Sequence, residues 1–120
     1  MADPAHYVCH QTDLTPSEGL RFTTFTPPIA VFRTDEGEVY ALDDTCSHQE
    51  ASLADGWVED CWVECPLHAS RFDLRTGRAD APPAKRSVRS HEVELRDGEV
   101  WVRLSKEAPS LPPGVTVDAG

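Results

Sequence analysis

Basic residues, long apolar runs and helical periodicity are all scarce in this chain of 120 residues. Lys and Arg number 11 against 21 Asp and Glu, which gives a formal net charge of -10. Nucleic acids and anionic membranes bind clustered basic side chains, so this balance argues against both and favours basic protein surfaces as partners. A chain this short supports one modest core, which excludes a large multidomain enzyme.

Membrane-spanning and export signals are also missing from the sequence. No run approaches the roughly 20 apolar residues that cross a bilayer, and the start of the chain lacks the charged and apolar regions of a signal peptide. We therefore expect a cytoplasmic location. Thiols stay reduced in the cytoplasm, so the four Cys are expected to bind metal or to be buried rather than to form disulfides.

Short apolar runs with strand-like alternation fill most of the chain. Turn signals such as Asp35-Glu36-Gly37, Asp55-Gly56 and Thr76-Gly77 separate them, and no window of a dozen residues keeps a helical period. The pattern predicts an all-β fold, an antiparallel sandwich or small barrel. Its strands are centred on residues 7–9, 20–22, 29–32, 39–42, 57–58, 62–63, 72–74, 93–95 and 100–104.

The last two runs predict a hairpin. Asp97-Gly98 supplies the positive φ angles of a tight turn, and Val93 and Leu95 before it alternate with polar residues, as do the apolar residues after it. We expect the apolar side chains of both strands to face inward. The pattern stops after Leu104, so residues 1–105 are predicted to form one domain and residues 106–120 a flexible tail containing Pro and Gly.

Two Cys-plus-His pairs carry the chemistry: Cys46-Ser-His48 and, sixteen residues later, Cys65-Pro-Leu-His68. Each pair follows a strand-like run, so two loops can direct four ligands at one centre. Three interpretations remain open at this point: unrelated buried residues, a structural zinc site with two Cys and two His, and a Rieske [2Fe-2S] cluster. Zinc fingers pair Cys with Cys and His with His, which argues against zinc.

The spacing Cys46-x-His48-x16-Cys65-x-x-His68 resembles that of Rieske iron-sulfur proteins. The flanking sequence is similar to the small ferredoxin components of bacterial aromatic-ring-hydroxylating dioxygenases, and the similarity covers most of residues 5–105. The resemblance implies a Rieske-like antiparallel fold with a small cluster-binding subdomain of two loops, about residues 44–72. Within one [2Fe-2S] cluster, Cys46 and Cys65 would hold one iron and His48 and His68 the other, exposed one.

The same resemblance implies an electron carrier rather than an enzyme. In that family a flavin-containing reductase oxidises NAD(P)H, and the ferredoxin passes single electrons to a terminal oxygenase that hydroxylates an aromatic ring. We expect no catalytic residue in this chain, no nucleic-acid or membrane partner, and a monomer. The alternatives are a small Rieske subunit of another oxidoreductase, such as nitrite reductase, and a structural zinc-binding module.

Departures from the high-potential Rieske proteins predict a low potential. The disulfide of those proteins cannot form, because Ala51 and Leu67 occupy its two positions, and Phe72 stands where they have a hydrogen-bonding Tyr. Ser70 remains a candidate donor. Fewer hydrogen bonds to the sulfurs stabilise the reduced state less, so we expect a midpoint at the low end of about -150 to +300 mV.

The transfer surface is expected at the edge formed by the two His ligands, beside Gln49, Leu67 and Pro82. Residues 46–68 contain five acidic and no basic residues, which predicts steering toward basic partners. We expect His91 to lie at the surface or a sheet edge, and the three Trp to pack in the core or on a sheet face.

Overall fold

Nine β-strands and two short 3₁₀ turns make up the regular structure of the described residues, which are 4–25, 27–46, 51–66, 70–79 and 87–107 of a computed structural model. The strands are β1 Ala5–His10, β2 Glu18–Phe22, β3 Ile29–Arg33, β4 Val39–Asp43, β5 Trp57–Glu59, β6 Trp62–Glu64, β7 Arg71–Asp73, β8 Ser90–Arg96 and β9 Glu99–Arg103. The turns span Gln11–Asp13 and Leu53–Asp55. Each predicted strand is present, and the described residues contain no α-helix, so the predicted all-β class is confirmed.

Six strands form a curled antiparallel half-barrel in the order β1-β9-β8-β4-β3-β2. Strand β3 is buried on both faces because it separates two cores. Ile29 and Val31 pack into one core with residues of β1 and β9, whereas Ala30 and Phe32 point to the opposite side. The period of two thus assigns alternate side chains of one strand to different cores.

Strands β5, β6 and β7 form a second, three-stranded antiparallel sheet. The central residues of the three strands, Val58, Val63 and Phe72, are paired in register and pack into the core that contains Phe32 and Leu42 of the half-barrel. This shared core joins the small sheet to the half-barrel. The opposite face of the small sheet is directed away from the core.

The β8–β9 hairpin confirms the predicted turn. Asp97 has φ of 52° and Gly98 of 83°, which is the left-handed pair that a two-residue turn requires. Val100 and Val102 are fully buried. Leu95 pairs with Val100 and therefore leaves the same face of the hairpin, yet its side chain is 49% exposed near the turn.

No helix in the described part of the chain is long and apolar enough to cross a membrane.

Candidate functional site

Cys46 lies at the base of a short closed loop three residues after β4. Its thiol is fully buried, and its backbone N–H donates to the Ala51 carbonyl at 3.0 Å. An antiparallel bridge between Thr45 and Ser52 continues the pairing below this bond. The loop from Cys46 to Ala51 is therefore tied at its base, and His48 occupies its middle in the sequence.

Cys65 lies at the base of a second loop with the same closure. It directly follows β6, is fully buried, and donates its backbone N–H to the Ser70 carbonyl at 2.7 Å. The pairing of Glu64 with Arg71 continues the ladder of β6 and β7 below it. Both loops thus run from a Cys to the residue five positions later, and each is closed by the Cys N–H.

The structure brings the two thiols into one core. Cys46 and Cys65 belong to the same buried cluster as Leu53, Val63 and Phe72, and none of the four Cys of the chain forms a disulfide. Two buried thiols on neighbouring loops fit one iron of a [2Fe-2S] cluster, because thiolates are its ligands and metal binding offsets the cost of burying their charge. The donor set therefore fits the predicted cofactor.

The predicted His ligands lie outside the described residues, as do Gln49, Leu67 and Pro82 of the predicted transfer edge. Within the described ranges, no three His, Cys, Asp or Glu side chains are close enough to hold a metal ion. His48 and His68 therefore stay predictions.

Asp44 stabilises the base of the first loop, a role that the sequence interpretation missed. Its carboxylate accepts hydrogen bonds from Ser52 Oγ at 2.7 Å and Ala54 N at 3.0 Å, and it forms an ion pair with Arg21 Nε at 3.1 Å. Burial raises the pKa of this carboxyl, although the bonds from Ala54 and Ser52 and the Arg21 charge act in the opposite direction. Asp44 joins the loop base to the 3₁₀ turn that follows.

Asp43, three residues before Cys46, anchors the end of β4 to the segment that leads into β8 and to β8 itself. Its carboxylate accepts from Arg89 Nε at 2.8 Å, Arg89 Nη2 at 3.1 Å and His91 Nε2 at 2.8 Å. The Ser105 N–H donates to His91 Nδ1 at 2.9 Å, which leaves the ring proton on Nε2 to donate to Asp43. His91 is buried, so the expectation of a surface or edge position is wrong, and the reason is its carboxylate partner 48 residues away.

Apolar atoms dominate the surroundings of the buried thiols. Phe72, which replaces the hydrogen-bonding Tyr of high-potential Rieske proteins, is fully buried in their cluster and supplies no donor. Ser70 is also fully buried. Phe72 agrees with the expectation of a low potential, which rests on the number of donors near the sulfurs, whereas the buried Ser70 hydroxyl remains a candidate donor.

The other two Cys differ from this pair. Burial raises the pKa of Cys9 to about 11, with a smaller contribution from the nearby Asp13, so its thiol stays protonated at neutral pH. Cys61 is half-buried, and its Sγ lies 3.8 Å from Glu38 Oε1. Burial and the Glu38 charge both raise the pKa of Cys61, so neither thiol has the lowered pKa of a reactive or metal-binding Cys.

Comparison with protein families finds that the profile of the Rieske [2Fe-2S] domain matches residues 5–92. The 3-phenylpropionate/cinnamic acid dioxygenase ferredoxin subunit of Photorhabdus laumondii is 43% identical over 102 residues, which cover 84% of this chain and 95% of the relative. The similarity therefore extends over almost the whole length of that ferredoxin.

Solved structures agree with this similarity. The Sphingomonas yanoikuyae B1 ferredoxin is 30% identical, with a TM-score of 0.78 over 85% of this chain and all of that one. A chain in the complex of reduced oxygenase and oxidised ferredoxin in carbazole 1,9a-dioxygenase is 36% identical, with a TM-score of 0.74 over 80% of this chain and 98% of that one. A chain described as an NADH-dependent nitrite reductase small subunit, from Mycobacterium tuberculosis, is 24% identical, with a TM-score of 0.73 over 86% of this chain and 97% of that one. At this identity the similarity shows a common fold alone.

Proposed function

Because the chain belongs to the Rieske [2Fe-2S] domain family and its relatives are ferredoxin subunits, we propose that it carries single electrons to an aromatic-ring-hydroxylating oxygenase. The electron donor would be a flavin reductase that uses NAD(P)H. The single observation that carries this proposal is the pair of buried Cys thiols at the bases of two closed loops within one core. Such a chain transfers electrons and catalyses no reaction of its own.

The ligand set proposed for the single Rieske-type cluster has two halves. Cys46 and Cys65 would hold one iron, and His48 and His68 the other. When bound, the cluster supplies one-electron transfer at a potential above that of four-Cys ferredoxins, because imidazole adds no negative charge.

The described residues of the chain position the thiols and exclude water from them. Both Cys are fully buried, and the hydrogen bond at the base of each loop fixes the direction in which the Cys side chain leaves the backbone. Asp43 and Asp44 hold the backbone just before Cys46, each through a carboxylate that makes three polar contacts. Rigidly held ligand side chains reduce the structural rearrangement that accompanies electron transfer.

The proposal extends to the organisation of the chain and its surroundings. Residues 1–105 would form the redox domain, with the cluster-binding subdomain at about 44–72, and residues 106–120 a tail. The working form would be a cytoplasmic monomer that docks transiently with its reductase and its oxygenase. Small contact areas suit a carrier that must dissociate after each transfer.

A permanent subunit of another oxidoreductase, such as nitrite reductase, is the alternative within the same family. The resemblance to ferredoxin subunits at 43% identity favours the carrier over this alternative, whose structural neighbour reaches only 24%. The zinc module is disfavoured by membership of the [2Fe-2S] family.

Electron transfer through the purified protein tests the proposal. We expect NADH and a flavin-dependent ferredoxin reductase to reduce the reconstituted protein by one electron per chain, and added cytochrome c to reoxidise it. Cys46→Ser should lose electron transfer, whereas the matched control Cys9→Ser should keep it, because only the first substitution removes a proposed ligand. A wild-type protein that takes up no electron, or a Cys46→Ser variant that transfers as well as wild type, would refute the assignment. Elution from gel filtration only in a large stable complex would favour the permanent subunit.

A further inference from the structure

The outer face of the small sheet carries aromatic and acidic side chains next to the second Cys loop. Trp57 pairs with Glu64 and Glu59 with Trp62, so all four side chains leave the same face of β5 and β6, opposite the buried Val58–Val63 pair. They line a recess of about 170 Å³ together with Asp60 of the turn and Arg71 of β7. Because Glu64 directly precedes Cys65, the recess adjoins the base of that ligand loop.

Trp57 is the most exposed large apolar side chain of the described residues, at 62%. Strand pairing does not require Trp at this position, and its ring contributes little to the core. Trp is over-represented among the side chains that dominate protein-protein binding energy. Trp57 is therefore a candidate contact residue for another molecule.

The other two Trp residues, Trp62 and Trp101, each form a cation–π contact with an arginine. The guanidinium of Arg71 lies 5.4 Å from the Trp62 ring centroid, and that of Arg96 lies 4.5 Å from the Trp101 centroid. In the described part of the chain, no cation lies over the Trp57 ring. The recess beside that ring is lined by the carboxylates of Glu59, Asp60 and Glu64, which outnumber the single guanidinium of Arg71. A cation placed against Trp57 would therefore gain both cation–π and net charge attraction.

From this arrangement we infer that the recess receives, beside Trp57, an Arg or Lys side chain from the basic docking surface of the redox partner, while Arg71 keeps its place over Trp62. This inference rests on the proposed carrier function and specifies the chemistry of its partner. A second copy of this chain would bring acidic residues against acidic residues, which excludes self-association through this face. Attraction by charge alone would not depend on an aromatic side chain, whereas the proposed cation contact depends on the Trp57 ring.

Substitution of Trp57 separates the recess from general charge attraction. The probe is cytochrome c, a basic one-electron acceptor, mixed with the cluster-loaded protein at low ionic strength. Calorimetry gives Kd, and stopped-flow absorbance gives the second-order rate of cytochrome c reduction. We expect Trp57→Ala to raise Kd about two- to fivefold, in line with the size of an exposed cation–π contact, and Trp57→Phe to raise it less.

Removal of charge at the recess should act on the salt dependence. The double variant Glu59→Gln/Asp60→Asn is expected to weaken binding and to flatten its dependence on ionic strength. Asn is well tolerated at position 60, where φ is 53°. Tyr7→Ala, which removes an aromatic ring that is 52% exposed on β1, and Asp97→Asn, which removes one charge at the β8–β9 turn, are the matched controls and should leave Kd unchanged.

Each outcome decides a different claim. Equal weakening by Trp57→Ala and Tyr7→Ala would show that Trp57 has no special role in binding and would overturn the inference. Equal weakening by the recess and Asp97 charge variants, per charge removed, would show that net charge alone drives binding and would overturn it too. Unchanged Kd in Trp57→Ala would overturn it as well, while leaving the carrier function intact. A wild-type protein that is reduced by dithionite but neither binds nor reduces cytochrome c would refute the carrier function itself. An unaltered reduced EPR spectrum in Trp57→Ala confirms that the cluster is unaffected.

Discussion

The Arg89 guanidinium donates to both carboxylate oxygens of Asp43, from Nε at 2.8 Å and from Nη2 at 3.1 Å. The pair joins β4, which leads into the first Cys loop, to the segment that precedes β8. A third donor of Arg89, Nη1, reaches the Glu107 carbonyl at 3.0 Å. One side chain thus connects the base of the proposed cluster site to the end of the described chain.

Removal of this arginine should destabilise the protein markedly. Asp43 is 2% and Arg89 12% exposed, so Arg89→Gln leaves a buried carboxylate without its main cation, at a cost of roughly 3 kcal/mol. We expect the loaded Arg89→Gln variant to unfold at a temperature well below that of wild type. The loss of cluster absorbance on heating measures this unfolding temperature.

Arg75→Gln is the matched control for this effect. It also breaks an arginine-aspartate pair, but the Arg75 side chain is 56% exposed, so solvent screens the pair and its loss should change stability little. Equal effects of the two substitutions would show that the buried pair has no special role in holding the loop.

Acid stability should depend on Asp73. Partial burial raises the pKa of its carboxyl, but hydrogen bonds from the Arg75 side chain and backbone and from the Thr76 backbone, with the Arg75 charge, lower it overall. Folding therefore gains stability from this carboxylate above its unfolded pKa, and the gain is lost as pH falls through the lowered folded pKa. The difference in unfolding free energy between wild type and Asp73→Asn should shrink below about pH 4. A difference that stays constant from pH 6 to that range would contradict this assignment.

Thiol labelling should divide the four Cys into classes. With a pKa of about 11, Cys9 is thiolate in about one molecule in a thousand at pH 8, so it should react very slowly with iodoacetamide. The half-buried Cys61 should react first in the loaded protein. Removal of the metal should expose two further thiols, and mass spectrometry should locate them at Cys46 and Cys65. Alkylation of either in the intact coloured protein would contradict their role as ligands.

The reduction potential should respond to a hydroxyl at position 72. Phe72 shares the buried cluster of both ligand thiols, so Phe72→Tyr is expected to raise the midpoint by adding a donor near the sulfurs. Phe72→Leu adds no donor and should leave it near the wild-type value. The wild-type midpoint is expected below about +100 mV, and a redox titration that gives a higher value would contradict the prediction of a low potential.

Local sequence patterns predicted the strands, because alternation and tight turns involve neighbouring residues. They did not predict Asp43 and His91, whose pairing joins residues 48 positions apart through the arrangement of β4 beside β8. Leu95 illustrates the reverse: its alternation matches a buried position, yet cover depends on other elements of the fold. The exposure of Trp57 likewise follows from which face of the small sheet packs on the half-barrel.

EPR spectroscopy of the dithionite-reduced protein, with iron and sulfide analysis, tests the central claim most directly. We predict two irons and two sulfides per chain, a red-brown oxidised protein, and on reduction the rhombic signal of one unpaired electron in a Rieske-type centre. The Cys46→Ala variant should lose this signal. A colourless, EPR-silent protein that contains zinc, or a native signal that persists in Cys46→Ala, would contradict the account.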